Sequence, residues 1–269
     1  MTSGRSTWRQ LLGSLPSEHG AYGQLAFPLL TSFAVAGVST PALLIATSAI
    51  AGFLAHEPLL VLLGRRGARA KRDHHRPAII ALAVEGTIAA AAGLSAIVLA
   101  PREIRSALLV PLIPAAILAI AIVIEHEKRA LGEVAAALTF SSVAAPIALA
   151  AGASLRIVLS ISIAFAAIFV TATLAVRVVI LRVRGGGDPR AERLTRATVW
   201  TVSGALLVSI AWASARGLMP SATIAAVAPG LVGALWLSVR PPSPASLRTV
   251  GWTLVATSAA AAVILIVGL

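Results

Sequence analysis

Cysteine is absent from the 269 residues of this chain. Without a thiol there is no disulfide framework, no thiolate nucleophile and no Cys-ligated zinc or iron–sulfur centre. Charge is scarce too: only 12% of the residues are Asp, Glu, Lys or Arg, against roughly 25% in a soluble domain. Aromatic residues make up 4%, too few for the aromatic girdles and alternating strands of an outer-membrane barrel. A chain so short of charge has few ways to keep a large surface in water.

Ala, Leu, Ile and Val fill the space instead. The hydrophobic share is 58% and the mean hydropathy is +0.92. A water-soluble fold of this length cannot hide that much apolar surface, because surface grows too fast relative to core. The apolar runs are continuous, as membrane-spanning helices require. The expected fold class is therefore all-α, a polytopic membrane protein of about nine transmembrane helices in one domain. The spans fall at 21–38, 41–63, 78–99, 104–124, 131–151, 157–181, 197–215, 221–239 and 249–269, each near the ~20 residues that cross hydrocarbon. Breaks at Ser39-Thr40-Pro41, Ala100-Pro101-Arg102, Gly217 to Pro220 and Arg240 to Pro244 separate them. Met1 to Ser17 holds Arg5 and Arg9 but no long apolar core, so the first run reads as a retained helix rather than a removable signal.

The formal charge of +12 would suggest nucleic acid in a soluble protein. Here the basic residues sit between apolar spans, and membrane orientation accounts for them; no nucleic-acid partner is expected. With the N-terminus in the cytoplasm, only Arg102, Arg105, Arg156 and Arg216 of the 22 Lys and Arg fall outside. Lys and Arg concentrate on the cytoplasmic side of membrane proteins, so this bias places the protein in the cell membrane with its C-terminus outside. Two inner connections stand out. The first, 64–77, is Arg-rich and carries His74 and His75. The second, 182–196, holds Gly185-Gly186-Gly187 and Asp188-Pro189.

Ten acidic residues remain, and all but Glu103 map to the inner half. Four of them fall in three acid–histidine groups at the inner ends of spans: Glu18-His19, His56-Glu57 and Glu125-His126-Glu127. His56 and Glu57 precede Arg65 by eight or nine residues, which sets them roughly 12 Å inside the helix end at ~1.5 Å per residue. An ionisable group at mid-bilayer costs about 2.5–3.5 kcal/mol on insertion scales, so it needs a polar cavity or a partner. Glu57 either pairs with an Arg that reaches down as a brace or belongs to a functional pocket. Pro58 should kink or open the helix beside it. Glu85, two turns into the third span, poses the same burial problem. Glu18 and Glu133 each open a helix, where the dipole favours an acid. Arg177 either snorkels to the surface or holds an anion beside Glu133 or Glu57. Neighbouring residues on a helix point 100° apart, so one member of each His–Glu pair is expected to face a common centre. Carboxylates and imidazoles together bind divalent cations or move protons. His56, Glu57, Glu85, Glu133 and Arg177 are expected to converge on one cavity, with Glu18, His19 and Glu125 at its rim.

Two stretches resemble a known family. Ser17-Glu18-His19-Gly20-Ala21-Tyr22 with Phe27-Pro28-Leu29-Leu30, and Phe53 through His56-Glu57-Pro58 to Arg65-Arg66-Gly67, look like the YwiC-like membrane proteins. A second resemblance reaches the UbiA superfamily of intramembrane prenyltransferases: Leu131-Gly132-Glu133-Val134 with Phe140 is similar to the Leu-Gly-Glu region of MenA-type enzymes. That likeness implies a nine-helix bundle, a prenyl diphosphate substrate and Mg²⁺. Arg65, Arg66, Lys71, Arg72 and Arg177, with Glu18 and His19, would bind the substrate; Glu57, Glu85 and Glu125 would hold the metal; Glu57, His56 and Glu133 would be catalytic. The Asp-rich motifs of that superfamily are missing here. The alternatives are a non-enzymatic carrier or binder of a lipid, quinone or divalent metal, and a structural subunit whose basic loops meet anionic lipid heads.

Overall fold

The computed structural model describes residues 19–124, 129–183, 189–240 and 247–269. Every regular element among them is helical. In chain order these are α1 (His19–Ala36), α2 (Thr40–Leu62), α3 (Ala68–Leu99), two short 3₁₀ turns, α4 (Leu112–Val123), α5 (Ala130–Ser142), α6 (Ala144–Ala150), α7 (Leu155–Val183), α8 (Pro189–Ala215), α9 (Ala222–Val239) and α10 (Leu247–Gly268). Eight stretches are long and apolar enough to cross a membrane, with Arg102–Val123 and Ala130–Ala150 each counting as one. The chain is a multi-pass membrane protein. α1 falls short of that test because His19, Gly20, Tyr22, Gly23 and Gln24 dilute its first turns, yet it packs into the same bundle against α5, α6, α7 and α10.

α7 is the hub. It is the most buried span, with 61% of its apolar window inside the protein, and it touches α1, α5, α6, α8, α9 and α10. Ile161, Phe165, Ile168 and Phe169 form the centre of the main core. In lipid the helices gain little from the hydrophobic effect, so close backbone approach at small residues takes over. Gly230 of α9 shows this: a Cβ there would stand 3.0 Å from the side chain of Ile168. α2 and α3 pair the same way at Gly93, where a Cβ would stand 3.0 Å from the Ser48 hydroxyl. A Ser48 hydroxyl donates to the Ala89 carbonyl at 2.8 Å to lock them together.

Several boundaries differ from the sequence reading. The connection 64–77 is mostly helix, since α3 begins at Ala68 and runs through Pro77. Residues 68–76 are almost wholly exposed, so the carbonyl that Pro77 leaves without a donor can be met by water. The connection 182–196 shrinks likewise: α7 runs to Val183, and α8 starts at Pro189, a residue suited to a first helical position. The span at 104–124 is not one helix, because Pro101, Pro111 and Pro114 break its first half into the turns Arg102–Ile104 and Ala107–Leu109. The span at 131–151 breaks at Val143. Pro146 withholds the hydrogen bond that Ser142 would accept, and the Thr139, Ser141 and Ser142 hydroxyls bond back to earlier carbonyls. Pro58, by contrast, leaves α2 unbroken.

Candidate functional site

α2 ends at a tight turn. Gly64 (φ 77°) and Gly67 (φ 94°) take left-handed conformations that a side chain resists. The turn sends the Arg66 side chain back along α2, where its Nε donates to Glu57 Oε1 at 2.7 Å and its Nη2 to Oε2 at 2.6 Å. This two-pronged geometry is the strongest an Arg and a carboxylate make. Glu57 is buried. A second pair stands across from the first: Arg177 Nη1 of α7 lies 3.0 Å from Glu133 Oε2 in the first turn of α5. Glu57 is braced by an arginine, and the pair also lines a pocket.

That pocket is one cavity of about 950 Å³. His56, Glu57, Arg66, Glu133 and Arg177 line one end. His56 and Glu57 both reach it, although they are neighbours on a helix, because the cavity is wide enough to meet two faces of α2. The rest is apolar. Leu82, Ala89, Ala90 and Ile97 of α3, Leu112, Leu118 and Ile122 of α4, and Phe53 and Phe140 form its walls, with Leu108, Leu109 and Pro111 at the far end. Tyr22, Phe53 and Phe140 stack edge to face, at 5.1 Å and 5.5 Å between ring centres, and fix α1, α2 and α5 around it. From Leu82 to Ile97 the cavity follows α3 for about 22 Å at ~1.5 Å per residue.

Other residues singled out in the sequence sit elsewhere. Glu85 does not line the cavity; its Oε2 is buried with no hydrogen-bond partner. Arg65 reaches across to the C-terminal end of α4 and donates to the Val123 carbonyl at 2.8 Å, a cap that suits the negative end of a helix. Lys71 and Arg72 are exposed on the first turns of α3. Glu18 and Glu125, and the side chain of His19, lie outside the described residues. Of the three carboxylates in the Mg²⁺ reading, Glu57 and Glu85 fall among the described residues and Glu125 does not. No three His, Asp or Glu side chains among the described residues come together as a metal-binding group. Both Glu57 oxygens are taken by Arg66, and Glu85 is not in the cavity wall. The apolar walls escaped the sequence reading. Their signal was the spacing of Gly86, Ala90, Gly93 and Ile97, and of Ala115, Ala119 and Ile122, which puts each set on one helical face.

The family model for YwiC-like protein matches residues 15–148. Over this segment the chain is a YwiC-like protein. No curated protein matches the chain, and no solved structure does. The YwiC-like segment carries α1 to α6, and with them His56, Glu57, Arg66, Glu133 and most of the apolar wall. Arg177 lies beyond the matched segment, so the second ion pair joins the YwiC-like half to the rest of the bundle.

Proposed function

We propose that this protein binds a long-chain lipid with an anionic, phosphate-type head, holding the head at Arg66 and Arg177 and the chain along α3 and α4. The observation that carries this reading is the polarity of this cavity: two arginines with their glutamates and His56 at one end, and about 22 Å of mostly apolar wall leading away from them at ~1.5 Å per residue. A guanidinium matches phosphate oxygens two at a time. Each arginine arrives already paired with a carboxylate, so it is held in place and its charge is balanced until an anion enters. The Lys and Arg excess favours the cytoplasmic face for this end.

A binder or carrier fits these residues better than a metal-dependent prenyl transferase, because Glu57, one of the three carboxylates that would hold Mg²⁺, is engaged by Arg66 and Glu85 does not line the cavity. The transferase reading draws on His56 and Glu133, which line the same cavity and are chemically able to move a proton. One experiment separates the readings. Purified protein is titrated with a radiolabelled long-chain alkyl phosphate and with the alcohol of the same chain. The phosphate should bind and the alcohol bind far more weakly. Arg66→Ala and Arg177→Ala should each weaken phosphate binding by about 10–100-fold, since hydrogen bonds to charged groups are worth about 1.5–3 kcal/mol. Equal binding of alcohol and phosphate would remove the head-group role. Turnover of a prenyl diphosphate in the presence of a divalent metal would favour the transferase.

A further inference from the structure

We infer that the cavity opens sideways to the bilayer through a slot between α3 and α4, and that its lipid enters there rather than from water. This rests on the lipid-binding reading above and adds the route and the source of the ligand.

Four observations lead to it. α3 packs closely along α2 alone, and α4 packs closely along α5 alone. These two helices supply the two flanks of the cavity, yet they do not pack against each other. α3 is also the least buried of the spans, with 11% of its apolar window inside the protein, and the Arg102–Val123 span has 17%. Finally, cavity-lining Ala90 on α3 and Ala119 on α4 are themselves exposed. Their exposure places open space directly between the two helices.

The chemistry of the mouth fixes what passes through it. Exposed Leu94 and Val98 of α3 and Ile113 and Ile120 of α4, each the residue after a cavity-lining one, flank it, all apolar. A polar solute gains nothing on such a surface, whereas a lipid already in the hydrocarbon layer crosses it without leaving an apolar medium. The lining residues at the mouth are small, chiefly Gly86, Ala90, Gly93, Ala115 and Ala119, so a chain can lie between the helices. Both ends of the slot carry hydrogen bonds that need no ligand. Arg105 donates to the Ala100 and Val98 carbonyls and fixes the far end of α3, and Arg65 caps the near end of α4.

The protein has no cysteine, so a clamp across the slot can be introduced cleanly. Ala90→Cys/Ala119→Cys protein is reconstituted in phosphatidylcholine vesicles containing a long-chain alkyl phosphate with a diazirine on its chain. The cysteines are bridged with bis-maleimides of increasing length, or left open. After illumination, the label on α5 around Thr139, the inner wall of the cavity, is read by mass spectrometry. The slot predicts labelling of α5 in the open protein and its loss in the bridged protein, with each single-cysteine variant behaving as open. As a second variant, Ala90→Trp/Ala119→Trp should slow labelling by filling the slot without a cross-link. Equal labelling in open, bridged and Trp-filled protein would overturn the lateral route while leaving lipid binding intact. Absence of α5 labelling in the open protein would overturn the lipid-binding reading itself.

Discussion

Arg66 holds Glu57 with two parallel hydrogen bonds, 2.7 Å and 2.6 Å long, across nine residues of chain and around the glycine turn that ends α2. The pair closes the polar end of the cavity from one side, as Arg177 and Glu133 do from the other. Its position makes it a brace of the α2 end that also lines the cavity.

The pair should behave as a unit. Glu57→Gln and Arg66→Ala should each lower thermal stability in detergent by about 1–3 kcal/mol, because each leaves a partly desolvated charge without its partner. In the double variant the losses should fall short of their sum. Additive losses in a double-mutant cycle would mean that the two side chains do not depend on each other.

Gly64 sets the path that returns Arg66 to Glu57. An added Cβ meets only the Lys71 stem, at 3.6 Å, so the penalty of Gly64→Ala is conformational rather than steric. It should cost about 1 kcal/mol or somewhat more at a positive φ. It should also weaken alkyl phosphate binding, by displacing Arg66. Unchanged affinity would show that Arg66 reaches the ligand space without this turn.

Gly230→Val tests the core. The new side chain has to enter space that Ile168 already fills, and overpacking of this kind costs about 1–3 kcal/mol. Ile168→Ala should recover part of that loss. No recovery would place the damage somewhere other than the α7–α9 contact.

Glu85 offers the opposite sign. Its Oε2 is buried in a membrane-spanning helix with no partner, and an unmet buried polar group costs about 1–3 kcal/mol by protein mutational data. Glu85→Leu should therefore raise the thermal midpoint. A lowered midpoint would assign Glu85 a stabilising contact.

Membrane orientation is open to direct labelling, again because the chain lacks cysteine. Single cysteines near the N-terminus and in the 64–67 turn should react with an impermeant maleimide only after the cell membrane is breached. One at the C-terminus should react in intact cells. A C-terminus protected in intact cells would mean that α1 does not cross the membrane.

The sequence by itself determined that this chain lives in a bilayer as helices. Continuous apolar runs leave the backbone no other way to satisfy its hydrogen bonds in lipid, and that constraint acts locally. It also marked His56, Glu57, Glu133 and Arg177 as costly residues needing an explanation, since depth in a span can be counted along the chain. Local rules failed where two effects compete. Pro58 was legible as a breaker and 64–77 as a connection, yet Pro58 and Pro77 both lie within continuous helices, and the break near Ser142 needed Pro146 and three back-bonding hydroxyls acting together.

Pairing was decided only in three dimensions. Nothing in the spacing of Glu133 and Arg177, which are 44 residues apart, says that α5 and α7 lie side by side. Whether Glu85 shares the cavity with Glu57 depends on how α3 is rotated against α2, and small residues such as Ser48 and Gly93 fix that rotation. The cavity itself has no signature in one helix. It exists because α3 leans on α2 and α4 on α5, leaving between the two pairs a space that neither fills.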